Sequence, residues 1–236
     1  MLNSELYLAR KTVIEMLTDR EYGIEEKGDI NMMPVSIFKT LEQYFNNDSG
    51  ILDIYSTYLG ENSRLFDTKT IIKFVYSINN NKQNFIKKPI QGSSKAAINE
   101  IKRLISVANI QYDLKKNDNI VFIICYGDKL HEDHIELDNN NENIQIFHIK
   151  NLIFNISKHN LVPKHILIDE IQEKMIVDKF KLNSLDQLPH IQYSDPMAKY
   201  INLKTGNVCK IIRASKNAGE HICYRYCEND DSEFFF

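Results

Sequence analysis

The sequence predicts two domains of different class. Residues 1–150 read as an α/β domain, a mixed sheet with flanking helices; residues 151–228 read as a small α+β domain, followed by an acidic tail at 229–236. Three observations carry this. The run NIVFIICY at 119–126 is almost continuously apolar, as a strand covered on both faces must be. Ahead of it, Ala97, Ile98, Ile101, Leu104, Ile105 and Ala108 recur at helical spacing, which makes a strand, helix, strand crossover. From His159 to Cys227 the chain changes character, to one helix, proline-fixed turns and two short strands.

In chain order, Leu6, Ala9, Val13 and Leu17 share one face of a first helix that opens at Asn3 or Ser4 and closes at Gly23. A second helix starts at Pro34 and uses Phe38, Leu41 and Phe45. The β-branched and aromatic stretches at 51–58 and 70–78 read as adjacent strands. Residues 79–92 are a polar insertion, and Ser93 or Ser94 caps the crossover helix. Residues 127–143 are polar and end in an Asn tract, which reads as a loop. A last strand follows at 144–149, and a short helical turn leads into the second domain. There Ile171, Met175, Ile176 and Phe180 mark a helix with Asp169 and Glu170 at its positive end. Pro189 and Pro196 force Leu188 and Asp195 to extended geometry, so a non-helical connector lies between them. Gly206 marks a turn before the strand VCKIIRAS, residues 217–219 the return turn, and 221–227 the partner strand.

The 236 residues are 43% hydrophobic, enough for a real core, and the net charge of -3 with pI near 6.2 argues against a self-sufficient DNA binder. No segment approaches the roughly 18 apolar residues of a membrane span. Cys125, Cys209, Cys223 and Cys227 are scattered, unlike a disulfide framework, so reduced thiols inside a cell are expected. The richness in Asn, Ile and Lys fits the AT-rich genome of a large DNA virus or of a protist alike.

Leu161, Pro163 and His165 in LVPKH, Gln187, Leu188, Pro189 and Ile191 in QLPHI, and Asp195, Pro196, Ala198 and Tyr200 in DPMAKY form a dispersed pattern. It continues through Gly206, Val208, Lys210, Ile211, Arg213 and Ser215, and ends with Ala218, Gly219, Tyr224 and Arg225. In these residues the chain resembles the assembly domain of the fifth subunit of eukaryotic-type DNA-directed RNA polymerases, a domain that in archaea makes up the corresponding subunit by itself. His190, Ala214 and Glu220-His221 depart from the family, which usually has a basic residue, Pro and Arg-Tyr there. By element order and by the join FHIKNLIFNISKHNLVPKH, the first domain looks like the jaw domain of eukaryotic members, with nuclease-like topology. The resemblance implies a non-catalytic subunit docked on the largest polymerase subunit, with the jaw near downstream duplex DNA. It implies residence in the nucleus for a cellular protein, or in host cytoplasm or virion for a viral one. The partner-binding set is Pro163, His165, Gln187, Pro189, Ile191, Asp195, Pro196, Tyr200, Lys210, Arg213, Tyr224 and Arg225. Arg and Tyr are types that dominate interface energy, and a proline-restricted connector is pre-organised for a partner.

Lys87, Lys88, Lys95, Lys102 and Arg103 are a DNA-proximal stripe, since cations on phosphates give sequence-independent affinity; the plain reading is a solvated helix face. In relatives a proline-containing loop after the buried strand approaches DNA. Here Gly127, Asp128, Lys129 and Leu130 followed by His131, Glu132 and Asp133 hold no proline and more acid than base.

The alternative classes are a nuclease-like enzyme and a stand-alone DNA-binding regulator. Asp53 with Asp67-Thr68-Lys69 could imitate a nuclease metal site, but the pattern is short, and ordinary strand-edge charges account for it. His221, Cys223 and Cys227 lack the second cysteine pair of a zinc site, and His159 and His165 have no nucleophile in their context. The tail ends in three phenylalanines, a frayed terminus or an anchor for a partner groove. No cofactor, metal, small-molecule ligand or membrane is expected.

Overall fold

The computed structural model describes residues 2–25, 53–62, 65, 67–75, 99, 101–103, 105–106, 114–115, 117–125, 127–215 and 219–229. The helix expected at Pro34, the insertion at 79–92 and Lys95 lie outside the described residues. The chain divides into two compact units, Met1–Leu59 with Asp67–Phe154, and Gly60–Phe66 with Asn155–Phe236.

In the first unit, helix α1 (Leu2–Asp19) buries Leu6, Ala9, Val13, Met16 and Leu17, the face that its period defines. Asn3 and Ser4 lie inside its first turn rather than capping it. Nor does Gly23 close it. The chain turns at Glu21, whose φ is 65°, and strand β1 (Tyr22–Glu25) follows. Gly23 pairs with Thr57, and beside it Tyr22 lies opposite Tyr58 with ring centroids 5.3 Å apart, an aromatic cross-strand pair that holds this segment in the sheet.

Strands β2 (Ile54–Tyr58), β3 (Lys69–Val75), β4 (Asn119–Ile124) and β5 (Ile144–His148) complete a mixed sheet of order β1-β2-β3-β4-β5. β1, β2 and β3 pair antiparallel, while β3, β4 and β5 pair parallel. β4 and β5 are buried at every position, which explains the apolar run in the sequence. Between β3 and β4 the described residues 101–103 and 105–106 are helical, and Ile101 joins Val75, Phe122, Ile124 and Ile146 in the core.

The stretch expected to be a loop contains helix α2 (Glu132–Asn139). Its start is built by histidines: His131 Nδ1 accepts from Asp133 N, and His134 Nδ1 accepts from His131 N, a capping box without the usual residue types. Its packed face is polar too, because Asp138 is buried to accept from Ile146 N at 2.9 Å. A search for apolar period finds neither feature.

The second unit has strands β6 (Lys164–Leu167), β7 (His190–Gln192), β8 (Val208–Ser215) and β9 (Gly219–Glu228) in the order β6-β8-β9-β7. Helix α3 (Glu170–Phe180) is capped by Asp169, which accepts from Gln172 N at 2.8 Å, and ends at Lys181 in the left-handed region. Of its apolar residues at helical spacing only Ile176 is buried; Ile171 is 66% and Met175 65% exposed, and Phe180 is exposed as well. The inward face instead carries Glu173, whose Oε1 accepts from Val208 N at 3.3 Å. The connector between the prolines is extended as expected, with ψ 154° at Leu188 and 129° at Asp195, and it contributes β7. Helix α4 (Pro196–Tyr200) starts with Pro at its first position, and Asp195 caps it by accepting from Met197 N and Ala198 N.

Candidate partner-docking site

The hairpin of β8 and β9 organises the second unit, and its register sorts the candidate residues onto two faces. Cys209 lies opposite Arg225, Ile211 opposite Cys223 and Arg213 opposite His221, while Lys210 lies opposite Tyr224 and Ile212 opposite Ile222. Side chains alternate along a strand, so Arg213 and Arg225 share one face, and Lys210 and Tyr224 the other. On the first face Ile191, Tyr193, Ala198, Leu203, Cys209, Ile211 and Cys227 form a core. On the second, Ile168, Ile176, Leu188 and Val208 form another, with Tyr224 and Tyr226 packed against it. Both cores sit toward the Cys227 end of the hairpin, and its distal half keeps Arg213, Glu220, His221 and Ile222 exposed.

The candidate residues therefore separate by role. Ile191 and Tyr200 are buried in the unit itself, and Tyr200 Oη accepts from Asn155 Nδ2 at 3.2 Å. Asp195 is committed to capping α4. Gln187, Pro189, Pro196 and Arg213 are exposed, while Pro163, His165, Lys210, Tyr224 and Arg225 are partly buried. His165 lies opposite Ile211, and its Nδ1 is 2.8 Å from the Pro163 carbonyl; burial pushes its pKa below the usual value. Arg225 donates to the His190 carbonyl at 2.7 Å. His190 itself bridges the Asp186 carbonyl and the Glu228 carboxylate, both at 2.7 Å, and these two bonds, the carbonyl first, raise its pKa. Sequence reasoning misses this clasp, the buried Glu173, and the contact of Phe180 with Tyr224 at a ring separation of 6.1 Å. The alternation in HICYRYC could have assigned the two faces; nothing local announces that His190 reaches Glu228.

In the first unit, Lys102 and Arg103 are exposed on the crossover helix, and Lys87, Lys88 and Lys95 lie outside the described residues. The nuclease-like pattern does not assemble. Asp53 is buried against Lys73 Nζ at 3.0 Å with Arg10 close by, and burial, partly offset by Asp53, lowers the Arg10 pKa to about 10. Asp67 instead pairs with Lys115 at the surface, which holds its carboxyl below the ordinary range. Among the described residues no cluster of His, Cys, Asp or Glu could hold a metal, and no helix is long and apolar enough to cross a membrane. Cys209 and Cys227 are buried and Cys223 partly so; burial pushes the Cys209 thiol up to about 11. His159 Nδ1 accepts from Leu161 N, a turn contact.

Residues 154–227 match the family model described as RNA polymerase Rpb5, C-terminal domain. The chain is 28% identical over 237 aligned positions to "DNA-directed RNA polymerases I, II, and III subunit rpabc1" of Dictyostelium discoideum, covering 95% of this chain and 98% of that one. It is 43% identical over 74 residues to the subunit RPABC1 of Caenorhabditis briggsae, covering 31% of this chain and 35% of that protein. The matched segment folds as one sheet with its two cores, and the chain is similar along its length to a fifth subunit of DNA-directed RNA polymerases.

Proposed function

We propose that the chain is a non-catalytic subunit of a multisubunit DNA-directed RNA polymerase. Its assembly domain, residues 151–228, docks on the largest subunit, and its jaw domain, residues 1–150, forms part of the lower jaw near downstream DNA. The observation that carries this reading is similarity running the length of both chains to a subunit named as shared by three polymerases. A fragmentary match would have supported only a borrowed domain. The engagement of Asp53 by Lys73 supports the non-catalytic part, because a carboxylate neutralised by buried cations is a poor ligand for Mg2+. In a cell such a subunit works in the nucleus.

The test is co-purification of the tagged full-length chain from native cells. The largest polymerase subunit should be recovered with it. A fragment beginning near Asn155 should retain that association and one ending near Lys150 should lose it; the reverse result overturns the division of labour. Purified full-length chain should leave labelled duplex intact in Mg2+ or Mn2+, and cleavage abolished by Asp53→Ala would establish a nuclease instead.

A further inference from the structure

The four-stranded sheet has an open edge whose backbone direction can be read from its bonds. β7 covers β9 only at Tyr226, Cys227 and Glu228. Tyr226 N donates to the Pro189 carbonyl and Tyr193 N to the Glu228 carbonyl, so residues of even number on β9 direct their N–H and C=O groups to the β7 side. Cys227 N donates to Asn207 O, away from that side, as odd residues must. By the same alternation Glu220, Ile222 and Tyr224 point their backbone groups past the end of β7, where the chain turns off into the 3-10 segment Leu185–Gln187. Among the described residues no strand pairs with this stretch. An extended edge with unpaired donors and acceptors is a template for another strand.

The side chains along this edge specify what kind. On one face lie Arg213, His221 and Arg225, and both arginines, like the Asp195 carboxylate that caps α4, are close enough to act on His165. On the other face Ile222 is 44% exposed, and Tyr224 carries the exposed Phe180 ring beside it. We infer that β9 receives an added strand, an extended segment of a partner polypeptide that alternates acidic and apolar residues. Its backbone pairs with Glu220, Ile222 and Tyr224; its acidic side chains meet Arg213, His221 and Arg225, and its apolar ones meet Ile222, Tyr224 and Phe180. Exposed Gln187 and Pro189 lie where β7 stops and flank the end of this slot. The inference rests on the polymerase-subunit reading and adds the mode of attachment.

Amide hydrogen exchange on the full-length chain, free and within the purified polymerase, tests it. In the free chain the amides of Ile222 and Tyr224 should exchange at least about tenfold faster than those of Cys223 and Arg225, and in the complex they should slow by at least about tenfold. Ile222→Pro removes an outward N–H and leaves the bonds to β8, so it should lower recovery of polymerase about tenfold, and further than Ile222→Ala, which removes only the side-chain contact. If the chain is in the polymerase and these amides stay fast, the added strand is wrong and the subunit reading stands. If the chain is not recovered with polymerase, both fall. Protection that rises with concentration of the free chain, together with dimers in sedimentation, would replace the partner strand with a second copy. The exchange comparison decides should the proline variant fail to fold.

Discussion

In the five-stranded sheet β4 and β5 are buried throughout, whereas β9 of the four-stranded sheet is exposed from Gly219 to Ile222 and fully buried only at Cys227. The sequences differ accordingly. NIVFII offers apolar side chains to both faces, while GEHICYRYCE alternates, and its polar half lies at the distal end. β4 and β5 are covered by the chain's own residues, so changes there should cost stability. β9 is paired on both sides only at its Cys227 end, so changes at the other end should cost association and leave the fold intact.

The largest expected effect tests the first half of that contrast. Asp53→Ala leaves Lys73 and Arg10 buried without their carboxylate, and removing one partner of a buried pair costs about 3–5 kcal/mol. Urea unfolding of the full chain should show the transition of the first unit moved to lower denaturant and that of the second unit unmoved. Asp67→Ala, which breaks a solvent-exposed pair with Lys115, should leave both midpoints within replicate error. Equal effects of the two variants would mean that the pairs are not distinguished by burial.

Helix α3 gives the same contrast within one element. Glu173→Ala should cost about 1–3 kcal/mol, since it strips the acceptor from Val208 N inside the sheet–helix interface. Met175→Ala, two residues along and facing out, should stay within about 0.5 kcal/mol. Thermal unfolding of both variants checks this; a larger loss for Met175 would reverse the assignment of faces.

Helices α2 and α3 show where the sequence is legible and where it is not. β2 to β5 are legible in runs of β-branched and aromatic residues, and the parallel pairing of β3 with β4 in a helical period between them, because burial selects those residue types directly. α2 is not, because histidines cap it and Asp138 packs it. α3 is legible but its inward face is not, since periodicity reports that apolar residues share a side and is silent about a buried carboxylate on another. β1 escapes because Gly23 is as acceptable in a strand as after a helix, and the Tyr22–Tyr58 pair that decides the matter joins residues far apart in the chain. The resemblance names the candidate residues one by one, and the structure does not gather them on one surface. Ile191 and Tyr200 lie in the core, and Arg213 and Tyr224 point to opposite faces of the hairpin.

A smaller effect concerns thiols. Cys209 and Cys227 lie in the core and burial raises the Cys209 pKa, whereas Cys223 lies nearer the open end of the hairpin. Native labelling by a disulfide reagent should modify Cys223 well before Cys209 or Cys227. Comparable rates at all three would mean that this core opens as readily as the edge.

The smallest effect is a pair of opposed pH dependences inside the second unit, one histidine closed into the fold and one at its rim. His165 is partly buried and donates from Nδ1 to the Pro163 carbonyl as a neutral ring, so its folded pKa lies below the unfolded value of about 6.5. Between those two values the unfolded chain binds more protons, so this contribution is complete above about pH 6.5 and is lost as pH falls through the folded pKa. His190 has oxygen acceptors at both ring nitrogens, which requires both to carry protons, and its folded pKa is raised. Its contribution is complete below about pH 6.5 and is lost as pH rises through the folded value. Because His190 is open to solvent, its effect should be the weaker of the two. Melting temperatures of the full chain from about pH 5 to 8 should show His165→Gln flattening the acid side of the profile and His190→Gln flattening the alkaline side. If His190→Gln leaves the alkaline slope unchanged, the link from Asp186 through the ring to Glu228 does not hold β7 against β9 in solution, and the end of the sheet nearest the proposed slot is looser than the bonds imply.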